Sequence, residues 1–258
     1  MKVERKCKIV SKEQMGDAVY MVLEAGDMVR TSFRAPGQFV HVKCGEGLLL
    51  RRPISVCTCH TDEPNDLVTI VFEVRGEGTD WLARRPVGHS LDVLGLAGNG
   101  FTMKPEGHYL LVGGGIGIPP MLGCAQYTQG KSTAILGGRS ADKIILQNCF
   151  QDECAKVLTA TDDGSLGHHG FVDALVRRGL SEDRGYDGVL ACGPKPMLRN
   201  VAKVAEEFGI PCQVSMEERM GCGVGACLVC ACDMADGSRK HVCKDGPVFD
   251  SREVDWDA

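Results

Sequence analysis

The chain has 258 residues, a mass of 27.7 kDa and a formal net charge of −5. At about 150 residues per domain, that length gives two domains and a small third piece. The mild acidity argues against a nucleic-acid binder, which carries a basic face, and 5% aromatic residues leave few stacking platforms for single strands.

The N-terminus, MKVERKCKIVSKEQ, mixes charges and has no apolar core of a secretory signal. Residues 1–103 then read as β-rich. VYMVLEA, GQFVHVKC, RRPISVC, LVTIVFEVR and SLDVLGL are short strand-like runs separated by Gly, Pro and Asp. Such close turns predict an antiparallel barrel, with one short helix, TDWLARR, capped by Thr79.

Residues 104–212 change rhythm. HYLLVGGG is a strand entering glycines, followed by the helix-like IPPMLGCAQYTQ. This uncharged stretch is too interrupted by Gly and Pro to span a membrane, and the chain is expected to be cytoplasmic. STAILGG, KVLTATDD and GVLACGP read as further strands, with FVDALVRRG as a helix between the last two. Met197, Val201, Val204 and Phe208 then fall at helical spacing. Alternating strands and helices predict a parallel α/β sheet covered on both faces.

Residues 213–258 are too short and too rich in Gly and Cys for an ordinary core. Fourteen cysteines in a reducing compartment point to metal or cluster chemistry rather than disulfides. Cys222, Cys227, Cys230 and Cys243 stand at C-x4-C-x2-C-x12-C, and the first three match the plant-type [2Fe-2S] spacing. Gly221, Gly223 and Gly225 flank the first two, leaving backbone free to approach sulfide. A zinc knuckle is the competing reading, but it requires neither the x4 interval nor three glycines. Cys232 is left over, and Cys57 and Cys59 read as small buried hydrophobes.

The strand end and turn Gly113-Gly114-Gly115-Ile116-Gly117-Ile118-Pro119-Pro120 would present N–H groups and a helix N-terminus to a phosphate. Cys192-Gly193-Pro194-Lys195-Pro196-Met197 is a second strand end feeding a helix. Either is on its own a plain strand-to-helix turn, but two such elements at a sheet's carboxyl edge would form a dinucleotide crevice, with Cys192 either a buried strand residue or, at the strand tip, the catalytic-site residue against the nicotinamide.

Pro36-Gly37-Gln38-Phe39 and Arg52-Pro53-Ile54-Ser55 resemble the flavin barrel of the ferredoxin–NADP reductase superfamily. GGGIGIPPM and CGPKPM resemble its pyridine-nucleotide domain. The cysteine tail, ending HVCKDGPVF, resembles the electron-transfer subunits of NAD-dependent dihydroorotate dehydrogenase B. The resemblance covers essentially the whole chain. It implies an FAD-binding β-barrel (1–103), an NAD-binding α/β domain (104–212) and a [2Fe-2S] domain (213–258). It also implies an FMN-containing catalytic dihydroorotate dehydrogenase subunit as partner, two copies of each, with electrons passing through [2Fe-2S] and FAD to NAD+. Arg52, with Gly78 and Thr79, would meet the FAD pyrophosphate. Ser55 would lie near the flavin N5, with Val71, Phe72 and Glu73 lining the ring. Where many relatives stack an aromatic on the flavin, Ile54 would supply an aliphatic wall. Gly138-Arg139-Ser140 would suit a 2′-phosphate, leaving NADP open. The alternative functions are an NADPH–ferredoxin or hydrogenase-linked reductase subunit of the same fold, and a non-catalytic redox-sensing module.

Overall fold

In a computed structural model of the chain, residues 3–61 and 64–258 are described. Six strands, β1 (Val3–Met15), β2 (Ala18–Glu24), β3 (Phe39–Val42), β4 (Arg52–His60), β5 (Leu67–Glu73) and β6 (Ser90–Ala97), close into an antiparallel barrel ordered β1-β2-β5-β4-β3-β6. All five strands read from the sequence are present. The sequence reading missed β1, because its exposed face alternates Lys, Arg and Glu with the buried Cys7 and Ile9. The barrel interior is aliphatic, including Val40, Val42, Ile54, Val68 and Ile70. Helix α1 (Met28–Ser32) is tied down by Asp66, fully buried, which accepts the Arg30 N–H at 2.8 Å and pairs with its guanidinium at 3.1 Å.

Helix α2 (Glu77–Ala83) begins two residues earlier than the sequence suggested. Its N-cap is Gly76, and Thr79 sits at the third helical position. The Thr79 hydroxyl accepts the backbone N–H groups of Arg75 and Gly76 at 2.9 and 3.2 Å. Reaching back to donors before the helix is the second half of a capping box, so Thr79 does stabilise the start, but from inside it.

The second sheet has seven strands in the order β10-β9-β8-β7-β11-β12-β15. They are β7 (Tyr109–Gly114), β8 (Thr133–Gly138), β9 (Lys156–Thr161), β10 (His168–His169), β11 (Gly188–Cys192), β12 (Cys212–Ser215) and β15 (Val248–Asp250). All pairings are parallel except the last. Leu110 and Val112 face a core with α5 (Val172–Glu182) and α6 (Lys195–Glu207). Leu111 faces the other side, among Ile118, Met121 and Phe150 of α3 (Ile118–Tyr127) and α4 (Gln147–Glu153). The sheet is therefore covered on both faces, as its uniformly apolar strands require. On α6 the buried side chains are Leu198, Val201, Ala202, Val204 and Ala205, while Met197 lies at the edge, over the glycine turn.

The tail does not stand apart. A hairpin, β13 (Ala231–Asp233) and β14 (Arg239–His241), is followed by β15, which pairs antiparallel with β12 at the sheet edge. Met220, Cys230, Met234, Val242, Cys243, Phe249 and Val254 share one continuous core with the sheet and with Phe39 and Ala97 of the barrel. The Asn99 side chain donates to the carbonyls of Lys244 and Asp245 at 3.3 and 3.0 Å, and its backbone N–H donates to that of Gly246 at 2.7 Å. The tail is too poor in apolar residues to build its own core, so it borrows one from both larger units.

Candidate cofactor sites

Strand β7 runs into a 3₁₀ turn, Gly115–Gly117, and then into α3, whose first turn holds Pro119 and Pro120. The neighbouring β11 ends at Cys192, in register with Gly113. From β7 the chain winds outward to β8, β9 and β10 in one direction, and β11 and β12 lie in the other. The gap between β7 and β11 is the point where strand order reverses, where open α/β sheets bind ligands. The two loops touch there. A Cβ on Gly117 would lie 2.5 Å from the Cys192 carbonyl carbon, and one on Gly193 would lie 2.6 Å from Met197 Cε. The structure thus brings Gly113, Gly114, Gly115, Gly117, Ile118 and Pro119 together with Cys192, Gly193, Pro194 and Met197.

Cys192 is 9% exposed, and burial pushes its thiol up to about 12, with a partly offsetting hydrogen bond from Ser215. It is a protonated, small and weakly polar wall at the crevice, not a thiolate nucleophile. Beyond β8, Ser140 donates to Asp142 at 2.5 Å, so that hydroxyl is already engaged by a carboxylate. Asp162 and Asp163 close the loop after β9, where Asp163 accepts from Ser165 at 2.6 Å.

On the barrel, the double arginine divides its labour. Arg51 ties strands together, donating to the carbonyls of His41 and Asp92 at 3.3 and 3.1 Å and pairing with the Asp92 carboxylate at 2.8 Å. The Arg52 guanidinium instead lies across the backbone of Gly78 in the first turn of α2, where a Cβ would come within 2.6 Å of its Cζ. A fork of N–H donors beside the amides of a helix start is a phosphate-binding arrangement. It holds only with glycine at 78. Pro53 and Ser55 face outward opposite His41 and Phe39. Ile54 pairs with Val40 and is 6% exposed in the barrel core, so the wall it offers is the rim of that core. Val71 and Phe72 are buried on opposite faces of β5, and Glu73 pairs with Arg75 at 2.7 Å.

In the tail, Cys222 and Cys227 are accessible, whereas Cys230 and Cys243 are buried. The N–H groups of Val224 and Ala226 point at Cys222 Sγ at 3.4 and 3.2 Å, that of Gly225 at Cys243 Sγ at 3.1 Å, and that of Cys222 at Cys227 Sγ at 3.3 Å. Burial raises the Cys222 thiol, but hydrogen bonds from the N–H groups of Val224 and Ala226 and with Cys227 together outweigh it and lower it to about 6. A loop of amides aimed at thiolate sulfurs is the environment an iron–sulfur cluster uses. Among the described residues, no three His, Cys, Asp or Glu side chains converge as a single ion needs. A two-iron cluster shares four thiolates between two metals and asks for no such point. Cys232 turns away, its Sγ toward the Lys240 carbonyl at 3.5 Å. Cys57 is a buried strand residue, as its setting in sequence suggested, whereas Cys59, two residues on, is only half-buried at the edge of the barrel core. Among the described residues, no helix is long and apolar enough to cross a membrane.

Residues 217–255 match the iron-sulfur cluster binding domain of dihydroorotate dehydrogenase B. The chain is 42% identical over 258 residues to a protein of Bacillus caldolyticus, and 38% identical over 256 residues to one of Bacillus pumilus. Each is named dihydroorotate dehydrogenase B (NAD(+)), electron transfer subunit, and each alignment spans 95% of this chain and 96% of the relative. Among solved structures, a chain of the NADH-dependent reduced ferredoxin–NADP oxidoreductase is 31% identical with a TM-score of 0.86, covering 98% of this chain and 91% of that one. The CS-b5R domains of human Ncb5or, at 20% identity and a TM-score of 0.66, share the fold over 81% of this chain and 68% of theirs.

Proposed function

The chain belongs to the family of electron transfer subunits of NAD-dependent dihydroorotate dehydrogenase B, and on that premise we propose that it carries electrons from a catalytic subunit to NAD+. The observation that carries this reading is the ring of N–H donors around the Cys222 and Cys243 sulfurs, in a tail docked on the barrel. Cys222, Cys227, Cys230 and Cys243 would ligate a [2Fe-2S] cluster. Arg52, Gly78 and Thr79 would hold the FAD pyrophosphate, with Ser55, Val71, Phe72 and Glu73 along the flavin. The Gly113–Pro119 turn, Gly193, Pro194 and Met197 would hold NAD. When bound, the cluster supplies single-electron transfer and the flavin couples it to two-electron hydride chemistry. The protein's part is to fix distances and exclude water. The protonated Cys192 lines the nicotinamide end without competing as a base, and the contact between Gly117 and Cys192 sets the width of the crevice.

The domain limits 1–103, 104–212 and 213–258 follow the three cofactors, although the sheet itself draws β12 and β15 from beyond residue 211. The partner in this reading is the FMN-containing subunit that oxidises dihydroorotate, two copies of each assembling in the cytoplasm. Val224, Leu228 and Val229 are exposed beside the cluster loop and would form part of the docking face. The likeness to the ferredoxin–NADP oxidoreductase chain supports a second reading, in which ferredoxin and NADPH replace dihydroorotate and NADH. Anaerobic addition of NADH and NADPH in separate runs, read by the visible spectrum, separates the two. Bleaching of flavin and cluster bands by NADH, and NADH formation from dihydroorotate once the catalytic subunit is added, are expected. Preferential bleaching by NADPH would overturn the first reading in favour of the second.

A further inference from the structure

Strand β3 is buried along its whole length, which is unusual for the wall of a small barrel. Val40 and Val42 point into the barrel core, so alternation turns Phe39 and His41 outward. The tail covers that outer face. Phe39 joins the core that contains Met220, Cys230 and Cys243. His41 is 0% exposed, and Gly223, in the loop beside Cys222, lies against its ring. A Cβ at Gly223 would come within 3.0 Å of His41 Cε1 and closer still to Nδ1, and the residue has φ +67°. No other residue type adopts that conformation at that contact without strain.

The same strand carries the flavin motif's register. His41 pairs with Pro53 and Phe39 with Ser55 across the β3–β4 ladder. Two further contacts fix His41, one at its backbone and one at its ring. Arg51 donates to the His41 carbonyl at 3.3 Å. The Phe39 ring meets the imidazole edge to face, with centroids 6.5 Å apart and planes at 78°. One side chain is thus in contact with the cysteine loop and in register with the flavin motif.

We propose that His41 is the positioning residue that sets the cluster loop against the flavin barrel, fixing the distance and path between the two redox centres. The inference rests on the flavin and cluster reading given above. A flat, rigid ring gives the glycine loop one seat. A smaller or flexible side chain would leave a gap under Cys222, because the loop has little core of its own to hold it.

The test uses the full-length chain with its cofactors, as His41→Leu and His41→Asn. FAD per chain, iron per chain and melting temperature report folding. The electron paramagnetic resonance spectrum of the dithionite-reduced protein, the cluster midpoint potential and the stopped-flow rate of cluster reduction by NADH report positioning. Both variants are expected to keep FAD. Both are expected to shift the resonance line shape and potential and to slow cluster reduction several-fold, His41→Asn, which leaves the larger gap, at least as much as His41→Leu. Wild-type line shape, potential and rate in His41→Leu would overturn the proposal. If His41→Leu does not fold, Gly223→Ala tests the same contact from the tail side, with the barrel sequence untouched, and the same wild-type result there would overturn it equally. A wild-type chain that binds neither flavin nor iron would refute the functional reading itself, a result that none of the His41 outcomes resembles.

Discussion

Gly117→Ala isolates the contact on which the proposed nucleotide crevice depends. Gly117 has φ −80° and ψ −6°, an ordinary helical conformation, so alanine adds no backbone strain. The whole effect must come from the added methyl. That methyl would lie 2.5 Å from the Cys192 carbonyl carbon and 2.6 Å from Gly193 N, where ordinary contact begins at 3.4 Å. The β7–α3 and β11–α6 loops would have to part by about 0.9 Å, and both are backbone, with no flexible side chain to yield. Overpacking of this kind costs roughly 1–3 kcal/mol. At about 2–4 °C per kcal/mol for a chain of this size, the melting temperature should fall by about 2–12 °C. The larger effect should be on function, because a displacement near 1 Å at a reacting pair can cost roughly 100-fold. Stopped-flow reduction of the flavin by NADH, with FAD content as control, measures it. Slower reduction and weaker NADH affinity at unchanged FAD content are expected. Wild-type affinity and rate would show that the crevice between β7 and β11 is not where NADH binds.

Arg52→Ala should weaken FAD retention by roughly 10- to 100-fold, the value of a charge-assisted phosphate contact of about 1.5–3 kcal/mol, and wild-type FAD content after dialysis would show that the flavin site lies elsewhere. Cys192, with its thiol pushed up to about 12 by burial, should resist iodoacetamide in the folded protein at pH 8 and react only after unfolding. Because its folded value lies above the ordinary 9, its contribution to stability is complete below pH 9 and is lost as pH rises from 9 through 12. Rapid native-state labelling at Cys192, mapped by mass spectrometry, would contradict that burial. Cys227→Ser should abolish iron binding while leaving FAD content unchanged, whereas truncation after Ser215 removes Phe249, Val254 and Met220 from a shared core and should give an aggregating chain. A soluble truncated chain with a cooperative melt would refute the shared core.

The barrel strands, the glycine turn and the cysteine spacing were legible in the sequence because each is a local pattern. Period-two alternation, a strand running into glycines and an x4-x2 interval all lie within a dozen residues. What stayed hidden was set by partners distant in sequence. The charged face of β1 gives no apolar alternation, and the strand exists because it closes the barrel against both β2 and β6. The start of α2 was read from the residue best suited to cap, but Gly76 takes the cap and Thr79 serves it from the third position. Ser140 looked available for a 2′-phosphate until its hydrogen bond to Asp142 placed a carboxylate beside it. On that ground NADPH should be the poorer reductant.

The tail shows most clearly where local reading stops. Its cysteines announce a ligand, but nothing in residues 213–258 says what they rest on. In the structure Cys230 and Cys243 are 1% and 0% exposed inside a core built mainly by β7, β11, α5 and α6. Cys222 and Cys227, earlier in the tail, stay accessible. In the proposed reading, two ligands are therefore anchored in the core shared with the sheet and two sit on an accessible loop, beside exposed Val224, Leu228 and Val229. The loop touches the barrel at Gly223 and is open to solvent at Leu228 and Val229, so a cluster held there would lie between the flavin barrel and a donor on another chain. It follows that damage to the sheet core near Val201 or Val214 should loosen the cluster before it loosens FAD, whose barrel has a separate core.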